Sequence, residues 1–376
     1  MLGQIAHAAQ VTAWSFKGQG FAPPPQPCYG CHMRALLVLT VKNEAAFLLE
    51  WLAHHRACGF TDVLAFSNDC SDGTDLMLDR LADMGGLIHI RNNGPHDEGP
   101  QWAALKAADK HPLTRAADWV LFSDVDEFVN IHAGDHTLPA LLTALPQADA
   151  IALTWRMFGN AGVIGYDDRP VTEQFTRAAP ATLAWPWRAQ MFKTLFRNDG
   201  AYRKLGVHRP RNPDTSRTPH WFDGSGRPMP HSQRLFSDYR QDNYRLVQLN
   251  HYALGSMESY VLKADRGRAN RDASAFDMGY WVERNLSEVE DTTIAHLNSA
   301  THRAELHADP VLWSLHANAV AWRRARFASL MAEEPWRALF GRLMMCGPSQ
   351  TLRPTEAARL HAYLPQSRPN SSDQKD

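Results

Sequence analysis

Trp119-Val-Leu-Phe-Ser-Asp-Val-Asp-Glu-Phe128 decides how the rest of this chain is read. An apolar run of strand length stops at Asp124 and Asp126, with a third acid, Glu127, directly behind. The run reads as a buried strand, and the acids fall where that strand leaves the core. Two carboxylates one residue apart on a stiff strand end make a half-shell for a divalent cation. Such an ion takes its remaining ligands from water and from a substrate phosphate.

Working outward, strands and helices alternate. Ala35-Leu-Leu-Val-Leu-Thr-Val41 is an apolar strand with Asn43 and Glu44 at its carboxyl end, and Phe47, Leu48, Trp51, Leu52 and His55 then recur at helical spacing up to Gly59. Val63-Leu-Ala-Phe66 is a second strand, running into the turn-rich Ser67–Thr74, which offers several helix-capping side chains. A helix with Leu76, Met77, Leu81 and Met84 follows, then a third strand, Leu87-Ile-His-Ile90, and a helix from near Gln101. This βαβαβ order with near-continuous apolar strands predicts an α/β fold of Rossmann-like type, a mostly parallel sheet with helices on both faces. Ligands of such sheets sit beyond the carboxyl ends of the strands. Asn43-Glu44, Asn68-Asp69 and Asp124/Asp126 should therefore share one polar site.

The expected organisation is a flexible Pro-rich tail over 1–33 and a main domain over 34–270. Within that domain, 34–130 is the nucleotide-binding half and 150–270 an irregular acceptor half, rich in Trp, Arg, Pro and His. A helical C-terminal region over 280–363 and a disordered tail over 364–376 complete the chain. Cys28-Tyr-Gly-Cys31-His32 matches the c-type haem attachment pattern, but export to an oxidising compartment has no support here, so a linker with incidental cysteines is favoured.

Composition excludes several classes. The 376 residues are 44% hydrophobic and 21% charged with a formal net charge of −1, so no global charge favours nucleic acid or an anionic membrane. Five cysteines without framework spacing, no secretory signal and no apolar stretch of membrane-spanning length point to a cytoplasmic protein. Ala321–Met331 carries Arg323, Arg324 and Arg326 beside Trp322 and Phe327, so weak peripheral contact with anionic lipid competes with a docking helix, and docking is favoured. Twelve Trp include Trp155 and Trp221, either of which can stack on a sugar, though core packing is the commoner use.

Taken in order, these pieces resemble nucleotide-sugar glycosyltransferases of the GT-A fold, closest to the family 2-like group and the related family 92. Lys42-Asn43-Glu44 followed by Glu50-Trp51 is similar to the first-strand signature. Asn68-Asp69-Cys70-Ser71-Asp72-Gly73-Thr74 resembles the D-D-x-S-x-D-G-T turn, one residue shorter and with Asn in place of the first Asp. Asp124-Val-Asp-Glu-Phe128 looks like the D-x-D motif. Trp155–Gly159, Phe192-Lys193, Gly206–His208, Asn250-His251-Tyr252, Ser256–Lys263 and Arg266-Gly267 resemble downstream elements. The matching pieces run through about two-thirds of the chain.

The resemblance implies transfer of a sugar from a nucleotide-diphospho-sugar, a UDP-sugar first of all, to a glycan or lipid-linked acceptor, with inversion. Mn²⁺ or Mg²⁺ held by Asp124 and Asp126 would act as Lewis acid on the departing diphosphate. Imidazole suits Mn²⁺, which makes His251 the first and His208 the second candidate for a further ligand. Lys193, Lys263 and Arg266 are candidates for phosphate contact or, alternatively, a solvated basic face. Asn43, Glu44, Asn68 and Asp69 would hold the nucleoside, a role compatible with capping. Inversion needs a base for the acceptor hydroxyl, with Asp223 and Glu173 as candidates.

Other readings fit less well. An aspartate-dependent phosphotransferase carries its acids on the first strand, not a later one. A dehydrogenase or P-loop enzyme would show its Gly-rich motif. A sugar nucleotidyltransferase would show a Gly-rich, Arg/Lys-bearing loop after the first strand. A non-catalytic module that binds a nucleotide-sugar without turnover is the remaining rival.

Overall fold

The computed structural model describes residues 33–230, 235–267 and 277–363. Cys28, Cys31, His32 and the 364–376 tail lie outside the described residues.

The first half builds as its apolar runs require. Strands β1 (Ala35–Val41), β2 (Asp62–Ser67), β3 (Ile88–Arg91) and β4 (Trp119–Ser123) alternate with helices α1 (Ala45–Ala57), α2 (Thr74–Asp83) and α3 (Pro100–Ala108). β1 lies between β2 and β4, and β2 pairs with β3, all in parallel. Side chains of β1 divide between the faces, as the period of two demands. Leu37 and Leu39 join Leu48, Trp51 and Leu52 of α1 on one side. Leu36 and Val38 join Leu64, Phe66, Ala104 and Leu105 on the other. Each fully buried Leu contributes roughly 1.5–3 kcal/mol.

The second half mixes irregular stretches with further strands of the same sheet. β5 (Glu127–Ile131) begins three residues after Asp124, and β6 (Ala150–Met157), β7 (Phe192–Arg197), β8 (Trp221–Asp223), β9 (Pro228–Met229) and β10 (Val247–His251) extend the same sheet. Its main path runs β9-β8-β6-β7-β4-β1-β2-β3. β7 inserts antiparallel between β4 and β6, while β10 pairs antiparallel with β5 and parallel with β6. Position 150, expected to open an acceptor half, is thus the first residue of a central strand.

Helices α4 (Met257–Arg266), α5 (Met278–Arg284), α6 (Pro310–Leu330) and α7 (Glu334–Met345) share a third core that includes Tyr260, Val261, Trp281, Leu330 and Leu343. α6 packs on α1, α2 and α4. Arg323 is buried and Arg326 pairs with Asp265 at 2.6 Å, so both arginines are engaged within the chain, as a docking helix requires. No described helix is long and apolar enough to cross a membrane.

Candidate active site

The carboxyl ends of β1, β2, β4 and β10 open into one cleft lined by Glu44, Asn68, Asp124, Asp126, His208, His251, Lys263 and Arg266. The turn carrying the acids is fixed from several sides. Glu127 N–H closes it on the Asp124 carbonyl at 3.1 Å. Trp51 of α1 donates its indole N–H to the carbonyls of Asp124 and Glu127, at 3.1 and 3.0 Å. Tyr252 N–H donates to the Asp126 carbonyl at 2.9 Å. A backbone held this firmly fixes where the two carboxylates stand.

The third acid faces inward. Glu127 is fully buried and accepts from Trp155 Nε1 at 2.7 Å and from Asp124 N at 2.9 Å. Burial raises its carboxyl above the ordinary value, against the pull of Lys193. Lys193 is fully buried beneath the turn, with Nζ 2.9 Å from Asp124 Oδ2 and 3.5 Å from Glu127 Oε2. Its ammonium is therefore a fixed strut under the acids and does not reach the cleft, which corrects the expected phosphate contact.

Helix α4 presents Ser259, Lys263 and Arg266 along one stripe, as i, i+4 and i+7 spacing dictates. Lys263 Nζ lies 2.6 Å from Asp126 Oδ2 and donates to the Ala253 carbonyl at 2.7 Å. Burial opposes charge on Asp126, but Lys263 and His251 outweigh it and hold the carboxyl well below the usual carboxylate range. Arg266 pairs with Glu44 and donates to the Lys42 carbonyl at 2.8 Å. Both cations border the cleft, and neither is a freely solvated charge.

His251 Nε2 is 3.8 Å from Asp126 Oδ2, and its buried Nδ1 has no hydrogen-bond partner. Burial lowers its pKa, with Asp126 offsetting part of the effect. His208 is pushed down to about 4 by burial and by Lys193, and its Nδ1 is 3.0 Å from the Phe192 carbonyl. The Trp155 ring lies against both imidazoles, with centroids at 4.4 Å for His251 and 5.6 Å for His208.

Among the described residues no group of three or more His, Cys, Asp or Glu is assembled to hold an ion. The donor chemistry nevertheless fits a divalent cation that completes its shell with diphosphate oxygens. Each aspartate's ion pair with lysine uses Oδ2, and His251, whose buried Nδ1 has no partner, stands beside Asp126.

Residues expected to hold the nucleoside also tie the loops together. Asn43, with φ of 52°, bonds Ser71 through both amide atoms, donating at 3.1 Å and accepting at 2.7 Å. Asn68 lines the cleft, but its amide donates to the Val41 carbonyl at 3.2 Å and accepts from Asn92 at 2.6 Å. Asp69 is exposed and accepts from Gly94 N at 3.2 Å.

Neither expected base reaches the cleft. Asp223 is buried at the end of β8, accepting from Arg227 Nε at 2.8 Å and from the backbone of Ser225 and Arg227. Glu173 is exposed and pairs with Arg303 at 3.1 Å. In contrast, Tyr280 and Arg284 of α5 line the cleft, with the guanidinium 3.7 Å from the Tyr280 ring centroid. No motif flags these two, because they stand more than 150 residues after the acids.

A family model described as Glycosyltransferase family 92 matches residues 39–264. A glycosyltransferase family 92 protein of Oryza sativa subsp. japonica is 27% identical over 165 residues, covering 41% of this chain and 27% of that protein. One from Ricinus communis is 25% identical over 142 residues, covering 36% and 25%. The chain thus matches about a quarter of the length of these curated relatives. The solved structure of S. aureus TarS 1–349 in complex with UDP is 16% identical over 44% of this chain and 47% of that one, with a TM-score of 0.27, too distant a likeness to carry weight.

Proposed function

This chain belongs to glycosyltransferase family 92, and on that premise we propose that it moves a sugar from a nucleotide-diphospho-sugar, a UDP-sugar first of all, to a glycan or lipid-linked acceptor. The observation that carries this reading is the convergence of Asp124 and Asp126, from the end of β4, with His251, Lys263 and Arg266 in one cleft. Asp124, Asp126 and His251 would hold Mn²⁺ or Mg²⁺. Such an ion supplies Lewis-acid stabilisation of the leaving diphosphate.

The chain's own residues do the rest. Lys263 and Arg266 stand at the cleft wall as preorganised cations, so charge growing on the leaving group meets them without reorganisation. Lys193 and Glu127 keep the acid-bearing turn in place from below. Trp155 packs on His208 and His251 and so fixes the histidine side of the cleft. Inversion is part of the proposal, and its base is neither Asp223 nor Glu173.

The reaction belongs to the cytoplasm in this reading, which accords with Cys58, Cys70 and Cys346 forming no disulfide among the described residues. The test is a screen of nucleotide-sugars for Mn²⁺-dependent nucleotide release over an acceptor panel. Release with one donor supports transfer, whereas UDP binding without release from any donor would favour a binding module.

A further inference from the structure

A second, more enclosed pocket adjoins the cleft and shares Glu44, Asp126, Lys263 and Arg266 with it. Its apolar walls include Phe47 of α1, Leu254 ahead of α4 and Trp322 of α6, and Arg323 of α6 also faces it. The acids and cations around this pocket are paired, except one. Arg266 has Glu44, Lys263 has Asp126, and Asp265 has Arg326.

Arg323 is the exception. It is 5% exposed and is in ion-pairing contact with no carboxylate among the described residues. Nη2 donates to Ser259 Oγ at 2.9 Å, Nε has no partner, and the guanidinium lies over the rings of Phe47 and Tyr166, 4.6 and 4.7 Å from their centroids. Burying a guanidinium without a counter-charge is costly, and stacking on two rings offsets only part of that cost. An incoming anion would offset much of the rest. A guanidinium grips carboxylate or phosphate through parallel N–H donors, and Phe47, Leu254 and Trp322 favour an apolar stem behind that group.

We infer that this pocket is an anion subsite, centred on Arg323, for a ligand carrying one carboxylate or phosphate on an apolar stem. On the reading of the cleft as a sugar-transfer site, on which this step rests, the ligand is the acceptor. Its charged group is anchored behind Asp126, and the remainder leads toward the reacting centre.

The test uses the full chain and three probes: benzoate, inorganic phosphate and the neutral benzyl alcohol. Benzoate should raise Tm saturably, inorganic phosphate less so, and benzyl alcohol not at all. Arg323→Met should weaken benzoate by roughly 30-fold or more. Because that variant can fail to fold, Ser259→Asp gives an independent arm: its tethered carboxylate should raise Tm on its own and abolish the benzoate response. An undiminished benzoate response in folded Arg323→Met or in Ser259→Asp overturns the subsite, as does a benzyl alcohol response equal to that of benzoate. Phosphate binding more tightly than benzoate overturns the apolar stem. UDP binding is measured in parallel, and its absence in wild type counts against the sugar-transfer reading and leaves the anion subsite standing.

Discussion

Trp155 donates its indole N–H to Glu127 Oε1 over 2.7 Å, and that bond ties the histidine wall of the cleft to the strand following its acids. Glu127 is fully buried, so losing this donor leaves carboxylate oxygen poorly satisfied. Trp155→Phe should lower unfolding free energy by roughly 1–3 kcal/mol. Urea denaturation measures it, and an unchanged midpoint would show that the bond contributes little.

Metal dependence is tested at the acids themselves. Asp124→Asn and Asp126→Asn should each weaken Mn²⁺-dependent UDP binding by roughly tenfold or more, since a carboxylate ligand to a hard cation is lost. Calorimetric titration with and without Mn²⁺ decides. Equal affinities in wild type and both variants would remove the metal assignment.

Lys263 touches Asp126 at the edge of the cleft, and in the proposed reaction its charge would also meet the leaving group. Lys263→Met should reduce kcat by roughly a hundredfold while UDP affinity changes less, because charge on the diphosphate grows toward the transition state. Turnover at the wild-type rate would restrict Lys263 to a structural role.

Asp223 provides the contrast. Its oxygens serve Arg227 and the Ser225 turn, away from the cleft. Asp223→Asn should cost about 1–3 kcal/mol of stability and leave kcat per folded molecule unchanged. A large fall in kcat with stability intact would return it to the list of bases.

Acid sensitivity should arise in α1. His54 is buried against the Val129 carbonyl at 2.7 Å, and burial pushes its pKa from 6.5 down to about 4. Between those values the unfolded chain binds a proton that the folded chain refuses. Stability is therefore fully present above pH 6.5 and declines as pH falls toward 4, by about 3 kcal/mol in all for this group. Unfolding of wild type and His54→Gln at pH 7 and pH 5 would show it as a smaller loss in the variant. Equal losses would place the sensitivity elsewhere.

The half of the fold up to Asp124 was readable because each strand is a nearly unbroken apolar run, and polar residues begin where the run ends. Ala35–Val41 and Trp119–Ser123 are of this kind, and the acids they lead to do meet in one cleft. Beyond Asp124 the code changes. β5 opens on a buried Glu127, β7 carries a buried Lys193, and β10 carries buried Gln248 and Asn250. Such residues look like loop or surface in a sequence, and only tertiary partners make them strand. A polar residue at a strand end also need not face a site. Asp223 follows an aromatic pair, a pattern shared with site acids, yet Arg227, four residues on, already pairs with it. The contributions of Tyr280 and Arg284 were hidden by sheer separation along the chain.

That separation has a structural corollary. The span shared with family 92 ends at residue 264, while the cleft continues to Arg284. The side chains that α5 presents to the cleft therefore lie outside the matched span, while Asp124 and Asp126 lie within it. A small shift of that one short helix would thus reshape the cleft wall while leaving the acid-bearing turn where Trp51 and Tyr252 hold it.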